Sequence, residues 1–283
     1  MVLEERGLLM NEPFKRYHTQ YLLIEPWLQQ NKSILAGFTT RHGGVSQGSF
    51  HSLNMGFHVS DEEQSVLDNR QLVSDSLSFP LENWVGSEQI HKATICKVKK
   101  DDQGRGATSL HTAIEATDGL YTNESNVLLT SLYADCVPLY FWCEPKGLIG
   151  LAHAGWKGTV LGIGEKMIQT WLTEEKVAIE DIQVAIGPCI SQTAYEVDLT
   201  LFEQIQKKYG QELTNKVMIH HRSDHYLLDL RLLNKLILLE SFKLREEQMT
   251  LSLYCTYEDD LFFSHRRDKG KSGRMMSFIG QRD

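Results

Sequence analysis

Two apolar runs dominate the pattern of this chain, Ser131-Leu-Tyr-Ala-Asp-Cys-Val-Pro-Leu-Tyr-Phe-Trp-Cys143 and Leu148-Ile-Gly-Leu-Ala-His-Ala-Gly-Trp-Lys-Gly158. Both are rich in Leu, Ile, Tyr, Phe and Trp and are bounded by Pro and Gly, the pattern of buried strands. Upstream, residues 34–40 predict a strand that enters a loop over 41–56, where Gly43, Gly44, Gly48 and Gly56 free backbone N–H groups to approach a ligand. Ser60 and Glu63 have the spacing of a capping box and predict a helix continuing to Leu77. Strands are expected at 84–85, 93–98 and 127–133, with a polar loop over 100–112. Further on, apolar spacing predicts helices over 159–172, 199–209 and 230–242 and strands over 182–186 and 249–254. The tail, 262–267 and 273–279, reads as edge strand with basic residues between. Several strands follow one another without a helix, which favours an α/β fold with a mixed sheet in a layered α+β arrangement over a simple parallel doubly wound sheet.

Composition narrows the class. No Pro-, Ser- or Gly-rich linker divides the 283 residues, so a single catalytic domain over 1–283 is expected, with the N-terminal ~20 residues peripheral. The formal charge of −8 argues against a non-specific nucleic-acid binder but leaves room for a local basic pocket. The N-terminus carries acid where a signal peptide carries base, and no apolar run reaches the length of a membrane span. Cys96, Cys136, Cys143, Cys189 and Cys255 are scattered and odd in number, which points to reduced thiols and a cytoplasmic protein.

Several motifs fail for want of context. Gly44-Val-Ser-Gln-Gly48 has the spacing of a nucleophile elbow, but another loop follows it instead of a helix. Gly270-Lys-Ser272 lacks the first glycine of a P-loop, since position 265 is His265, and Gly162-Ile-Gly164 lacks the third glycine of a dinucleotide fingerprint. Neither His-Glu-x-x-His nor the Pro-Cys-x-x-Cys of the zinc deaminases is present.

What remains is Cys136 with His153, seventeen positions apart, each at a strand-like position. A soft thiol and an imidazole meeting there would serve as metal ligands or as a nucleophile with its base. Asp135 beside the thiol is costly in an apolar run unless paired, and would serve to orient a ligand. The helix expected after His153 would open where anions are well received. Gln89-Ile-His91 offers a third ligand, and three S/N ligands with one open position make a catalytic zinc site. Spacing alone does not choose His91 over His42, His51 or His58.

The set Thr40-Arg-His-Gly-Gly-Val-Ser46, Leu53-Asn-Met-Gly56, Gln89-Ile-His91, Ala134-Asp-Cys-Val-Pro138, His153-Ala-Gly-Trp-Lys-Gly158 and Gly187-Pro-Cys189 closely resembles the YfiH-type family. That family is known as polyphenol oxidase (multicopper laccase-like) and as purine nucleoside phosphorylase with adenosine deaminase activity. The resemblance implies one layered α/β domain, likened also to the cytotoxic necrotizing factor hydrolases, and one Zn2+ held by His91, Cys136 and His153 as the catalytic group. It implies phosphorolysis of adenosine, inosine, guanosine and 5′-methylthioadenosine, and deamination of adenosine. Purine nucleosides and phosphate are then the partners, with no nucleic acid and no membrane; the sequence leaves the oligomeric state open, a monomer included. Arg41 is the first choice to hold phosphate, because Arg binds oxyanions bidentately. Asn54, Gln89 and Arg266 join it as substrate-binding residues, Arg266 being, with Arg274, a weaker choice in the basic tail. A copper polyphenol oxidase is the alternative, though His and Cys are too sparse for several coppers. A metal-free Cys136/His153 hydrolase is another.

Overall fold

The computed structural model describes residues 11–283. Among these residues fifteen strands and six α-helices follow in chain order: β1 (Phe14–Arg16), β2 (Tyr21–Ile24), α1 (Glu25–Gln30), β3 (Ile34–Thr39), α2 (Glu63–Leu77), β4 (Trp84–Gly86), β5 (Ile95–Lys97), β6 (Gly119–Thr122), β7 (Leu128–Tyr133), β8 (Val137–Cys143), β9 (Leu148–Ala154), α3 (Trp156–Leu161), α4 (Ile163–Thr173), β10 (Gln183–Ile186), β11 (Glu196–Asp198), α5 (Leu199–Val217), β12 (Met218–Arg222), β13 (His225–Leu228), α6 (Leu230–Phe242), β14 (Met249–Leu251) and β15 (Met275–Gln281). One six-stranded sheet has the order β1-β2-β3-β15-β7-β4 and a second the order β14-β10-β8-β9-β6-β5, with β11-β13-β12 as a small third sheet. Both large sheets are mixed: β4 with β7, β10 with β14 and β5 with β6 run parallel, and the other pairs antiparallel. Among the described residues no helix is long and apolar enough to cross a membrane.

The strands are apolar on both faces because each sheet is covered twice. Along β8, Val137, Leu139, Phe141 and Cys143 pack into the core shared with α4, α5 and α6, while Tyr140 and Trp142 point into the core between the two sheets. Along β7, Leu129 and Tyr133 join that inter-sheet core and Leu128 turns to the layer that α2 covers. Period-two alternation thus distributes one strand over two cores, giving helix, sheet, sheet, helix as four layers of one domain. Of the first ~20 residues, 1–10 lie outside those described, and β1 is the edge strand of its sheet with Phe14 fully buried.

Several expectations change. The apolar run from Ser131 to Cys143 is two strands of different sheets, broken at Asp135, whose φ is 87°. The predicted capping box does not form: α2 begins at Glu63, its N-cap Glu62 makes no side-chain bond, and Asp61 instead bonds Ser46 and Asn54. The helix expected over 159–172 is α3 and α4, separated by Gly162 at φ 80°. The strand expected to reach 254 stops at Leu251. The tail is not an edge: β15 lies between β3 and β7 in the middle of its sheet, and 262–267 form no strand. Its basic residues precede the strand rather than interrupt it, so Met275 and Ile279 face one core and Met276 and Phe278 the other. The hairpin of β12 and β13 has a largely exposed polar face and gave little apolar signal.

Gly162 occupies the left-handed region, where a Cβ collides with its own backbone. Gly162→Ala should therefore lower stability by about 1–2 kcal/mol. Chemical denaturation checks this, as a lower midpoint with an unchanged slope.

Candidate active site

The seventeen-residue spacing of Cys136 and His153 has a simple geometric cause. β8 and β9 form a hairpin in which Val137 pairs with Ala154 and Pro138 with His153. Cys136, one residue before β8, therefore emerges at the same end of the hairpin as His153. Residue 91 arrives from another direction, on the connection between β4 and β5 in neighbouring sheets, in a left-handed conformation at φ 59°. One carboxylate holds that turn: Asp118, fully buried, accepts the backbone N–H groups of Ile90 (3.2 Å), His91 (2.9 Å) and Lys92 (2.8 Å). Its Oδ1 also lies 3.0 Å from His153 Nδ1, so one side chain fixes both histidines. The His91 and His153 rings meet edge to face, 4.7 Å apart, and Tyr133 packs on His153.

The result is a cluster in which one donor atom each from His91, Cys136 and His153 lies within 4.8 Å of the others. Among the described residues this is the one group of three His, Cys or carboxylate side chains placed to share an ion. Two imidazoles and a thiol suit zinc or copper and not magnesium or calcium. The Asp118–His153 bond is the carboxylate support that metal-bound imidazoles characteristically have. The residues thus fit a metal ion. Electrostatics agree: burial pushes the Cys136 thiol up, but His153 and His91 outweigh burial and draw it below the usual thiol range. Burial pushes His153 down, but Cys136 and Asp118 outweigh it and raise the imidazole.

Gly155 is required by close approach. A Cβ there would lie 3.0 Å from Cys136 Sγ and 3.3 Å from His91 Cδ2. Gly155→Ala should spread the donors by a few tenths of an ångström and weaken metal retention by about tenfold or more, since supporting geometry around such sites is worth that much. Metal content after graded chelation measures it.

The cluster opens on a cavity of about 480 Å³ whose walls include His58, Glu88, Gln89, His265 and Arg274. A smaller cavity of about 230 Å³ shares His91, Ala134, Cys136 and His265 with it and adds Trp156, Tyr195 and Arg266. The expected substrate-binding residues separate on this geometry. Gln89 lines the large cavity, but its amide is engaged with the backbone of Leu132 (3.0 and 2.7 Å). Arg266 lines the smaller cavity, its Nη1 donating to Glu196 O and its guanidinium 5.2 Å from the Tyr195 ring. Asn54 is fully buried, and its Oδ1 accepts the N–H of Gly56 and of Arg274. Arg41 lines neither cavity: it donates through Nε and Nη2 to His51 O and lies over Phe263. Of the open histidines, His58 reaches the cavity wall, while His42 and His51 do not line it. Asp135 orients no ligand of the cluster; it accepts from the Thr256 hydroxyl and the Arg266 N–H, both at 2.7 Å. Asp118, Glu88, His265 and Tyr195 escaped sequence reasoning. For Asp118 the available signal was a carboxylate directly before the apolar Gly119–Thr122 run.

Comparison with known proteins adds the following. The model of the multi-copper polyphenol oxidoreductase laccase family matches residues 35–282. A Bacillus subtilis (strain 168) protein named purine nucleoside phosphorylase YlmD is 45% identical over 276 residues, 96% of this chain and 98% of its own. Its namesake from Geobacillus stearothermophilus is 46% identical over 250 residues, 88% of this chain and 90% of its own. The crystal structure of the Bacillus licheniformis hypothetical protein YfiH superposes with a TM-score of 0.91 at 43% identity, covering 95% of this chain and 99% of that one.

Proposed function

The chain belongs to the multi-copper polyphenol oxidoreductase laccase family, and on that premise we propose that it is a purine nucleoside phosphorylase with a single zinc ion. The reading extends to adenosine, inosine, guanosine and 5′-methylthioadenosine as substrates and to adenosine deamination in the same cavity. It rests above all on the convergence of His91, Cys136 and His153 at a cavity of about 480 Å³, a volume usual for small-molecule sites. Relatives at this level of identity bear the phosphorylase name. A multicopper oxidase needs several coppers, and the described residues offer one three-donor cluster.

His91, Cys136 and His153 would hold the ion, which when bound supplies Lewis-acid chemistry to the cavity. Asp118 holds His153 through Nδ1, leaving Nε2 as the ring's remaining donor. In phosphorolysis, an oxygen of hydrogen phosphate bonds to C1′ while the C1′–N9 bond breaks and its electron pair leaves on the purine. The proton released by the phosphate ends on that purine, so charge and atoms balance. Arg274 reaches the large cavity wall, and positive charge there stabilises both the incoming oxyanion and the departing electron pair. Glu88, exposed at the same wall, offers a carboxylate to sugar hydroxyls.

The test is a product assay on adenosine and inosine, with and without phosphate, beside metal quantification. Ribose 1-phosphate formed only with phosphate, at about one zinc per chain, is expected. Oxygen-dependent turnover of phenols with several coppers per chain would overturn the reading in favour of the laccase. Rapid Cys136 alkylation indifferent to chelators would point to the metal-free hydrolase.

A further inference from the structure

Two cavities adjoin at the donor cluster, sharing His91, Ala134, Cys136 and His265, and their remaining walls differ in chemistry. The larger one carries Arg274. This guanidinium is half-buried and fixed: Nη1 donates to Ser272 O (2.7 Å) and Gly273 O (3.0 Å), and its backbone N–H is held by Asn54 Oδ1. Among the described residues its Nε and Nη2 have no partner, which leaves one edge of the fork free for two oxygens of an anion. Among the described residues the one carboxylate at that wall is Glu88, which accepts the Ala116 N–H.

The smaller cavity is of another kind. Trp156 and Tyr195 present half-buried rings there, with Ile190 and Leu230 beside them. Arg266 lines it too, donating Nη1 to Glu196 O with its guanidinium 5.2 Å from the Tyr195 ring, and so does Asp135, which accepts the Arg266 backbone N–H at 2.7 Å. Flat aromatic walls suit a planar heterocycle, and the Asp135 carboxylate at the same wall disfavours an anion there. A displacement at a sugar carbon in turn needs the nucleophile and leaving group on opposite faces of the ring.

Resting on the phosphorylase reading above, we infer that the two cavities divide the substrates, inorganic phosphate binding at the Arg274 fork and the purine base between Trp156 and Tyr195, with the sugar between them at the donor cluster. His265, which lines both cavities, then stands beside the reacting carbon. Asn54 and Gly56 become positioning residues: Asn54 fixes the Arg274 backbone, and a Cβ at Gly56 would lie 2.9 Å from Arg274 Cγ.

The layout is testable by binding alone. Trp27, Trp84, Trp142 and Trp171 are buried to within 1% of full burial, so Trp156 is the tryptophan a ligand can reach. Hypoxanthine should quench the fluorescence of the isolated protein and lose that effect in Trp156→Phe. Inorganic phosphate, titrated calorimetrically, should bind at least about tenfold more weakly to Arg274→Gln, while hypoxanthine affinity stays within about twofold. Retained hypoxanthine binding also shows that this variant is folded. Phosphate and hypoxanthine should bind together. Mutual exclusion, an unchanged phosphate affinity in Arg274→Gln, or a quench that survives Trp156→Phe would overturn the layout. Failure of the phosphorylase reading is distinct, since it appears as no ribose 1-phosphate from the wild type whatever the ligands do.

Discussion

On the proposed phosphorylase reading, Cys136→Ser should abolish phosphorolysis, with kcat/KM falling by about a thousandfold or more and the proposed zinc content from about one per chain to a small fraction of that. The sulfur is the one soft donor in the cluster, and His153 and His91 already hold it below the usual thiol range. A serine hydroxyl in its place is neutral near pH 7 and a poor zinc ligand. The fold should survive, because Cys136 sits at the rim of the inter-sheet core and not within it. An unfolding midpoint close to the metal-stripped wild type, together with lost metal and lost activity, is the expected set of results. A variant that keeps its zinc or its turnover would remove Cys136 from the chemistry.

Asp118→Ala should damage both stability and site. The carboxylate is fully buried, accepts three backbone N–H groups and reaches His153 Nδ1. His91 and Lys92 are exposed, so water can partly replace the lost acceptor, and the expected cost is about 2–3 kcal/mol. Metal affinity should fall by about 10–100-fold, because the His153 ring loses its support and the 90–92 turn its anchor. The same residue sets a pH dependence in metal-stripped protein. Burial alone would raise its pKa, but the bonds from His153 and from the 90–92 backbone outweigh burial and lower it. A depressed carboxylate stabilises the fold above its unfolded pKa of about 3.9, and that stability is lost as the pH falls through the lower folded value. Acid unfolding followed by circular dichroism should be steeper in the wild type than in Asp118→Ala, and equal slopes would refute the assignment.

The strands that carry the cluster were legible because their apolar runs are nearly unbroken, as strands covered on both faces must be. Helix α6 fell within the limits its apolar spacing predicts, and in the structure the Asp229 side chain caps its start by accepting the Leu232 N–H. The tail misled for a reason of topology: β15 occupies the middle of its sheet, but the basic residues Arg266, Arg267 and Arg274 that precede it give it the composition of an edge. Residues whose role is to accept backbone N–H groups leave little trace in a sequence. Asp118, like any single carboxylate, could have belonged to a solvated loop.

By itself the sequence determined the layered α/β class and which residues have donor chemistry, since apolar alternation and residue type are local properties of the chain. His91 was singled out by resemblance, because spacing left four histidines equal. Only the tertiary structure decided which of them meet. Two sheets must stack, and a buried carboxylate must pin the 90–92 turn, before His91 reaches Cys136 and His153. It also decided that Arg274 and not Arg41 lines the cavity beside the cluster. Which side chain a buried backbone carbonyl captures, and which it leaves free, depends on contacts between residues far apart in the chain, and no local pattern encodes that choice.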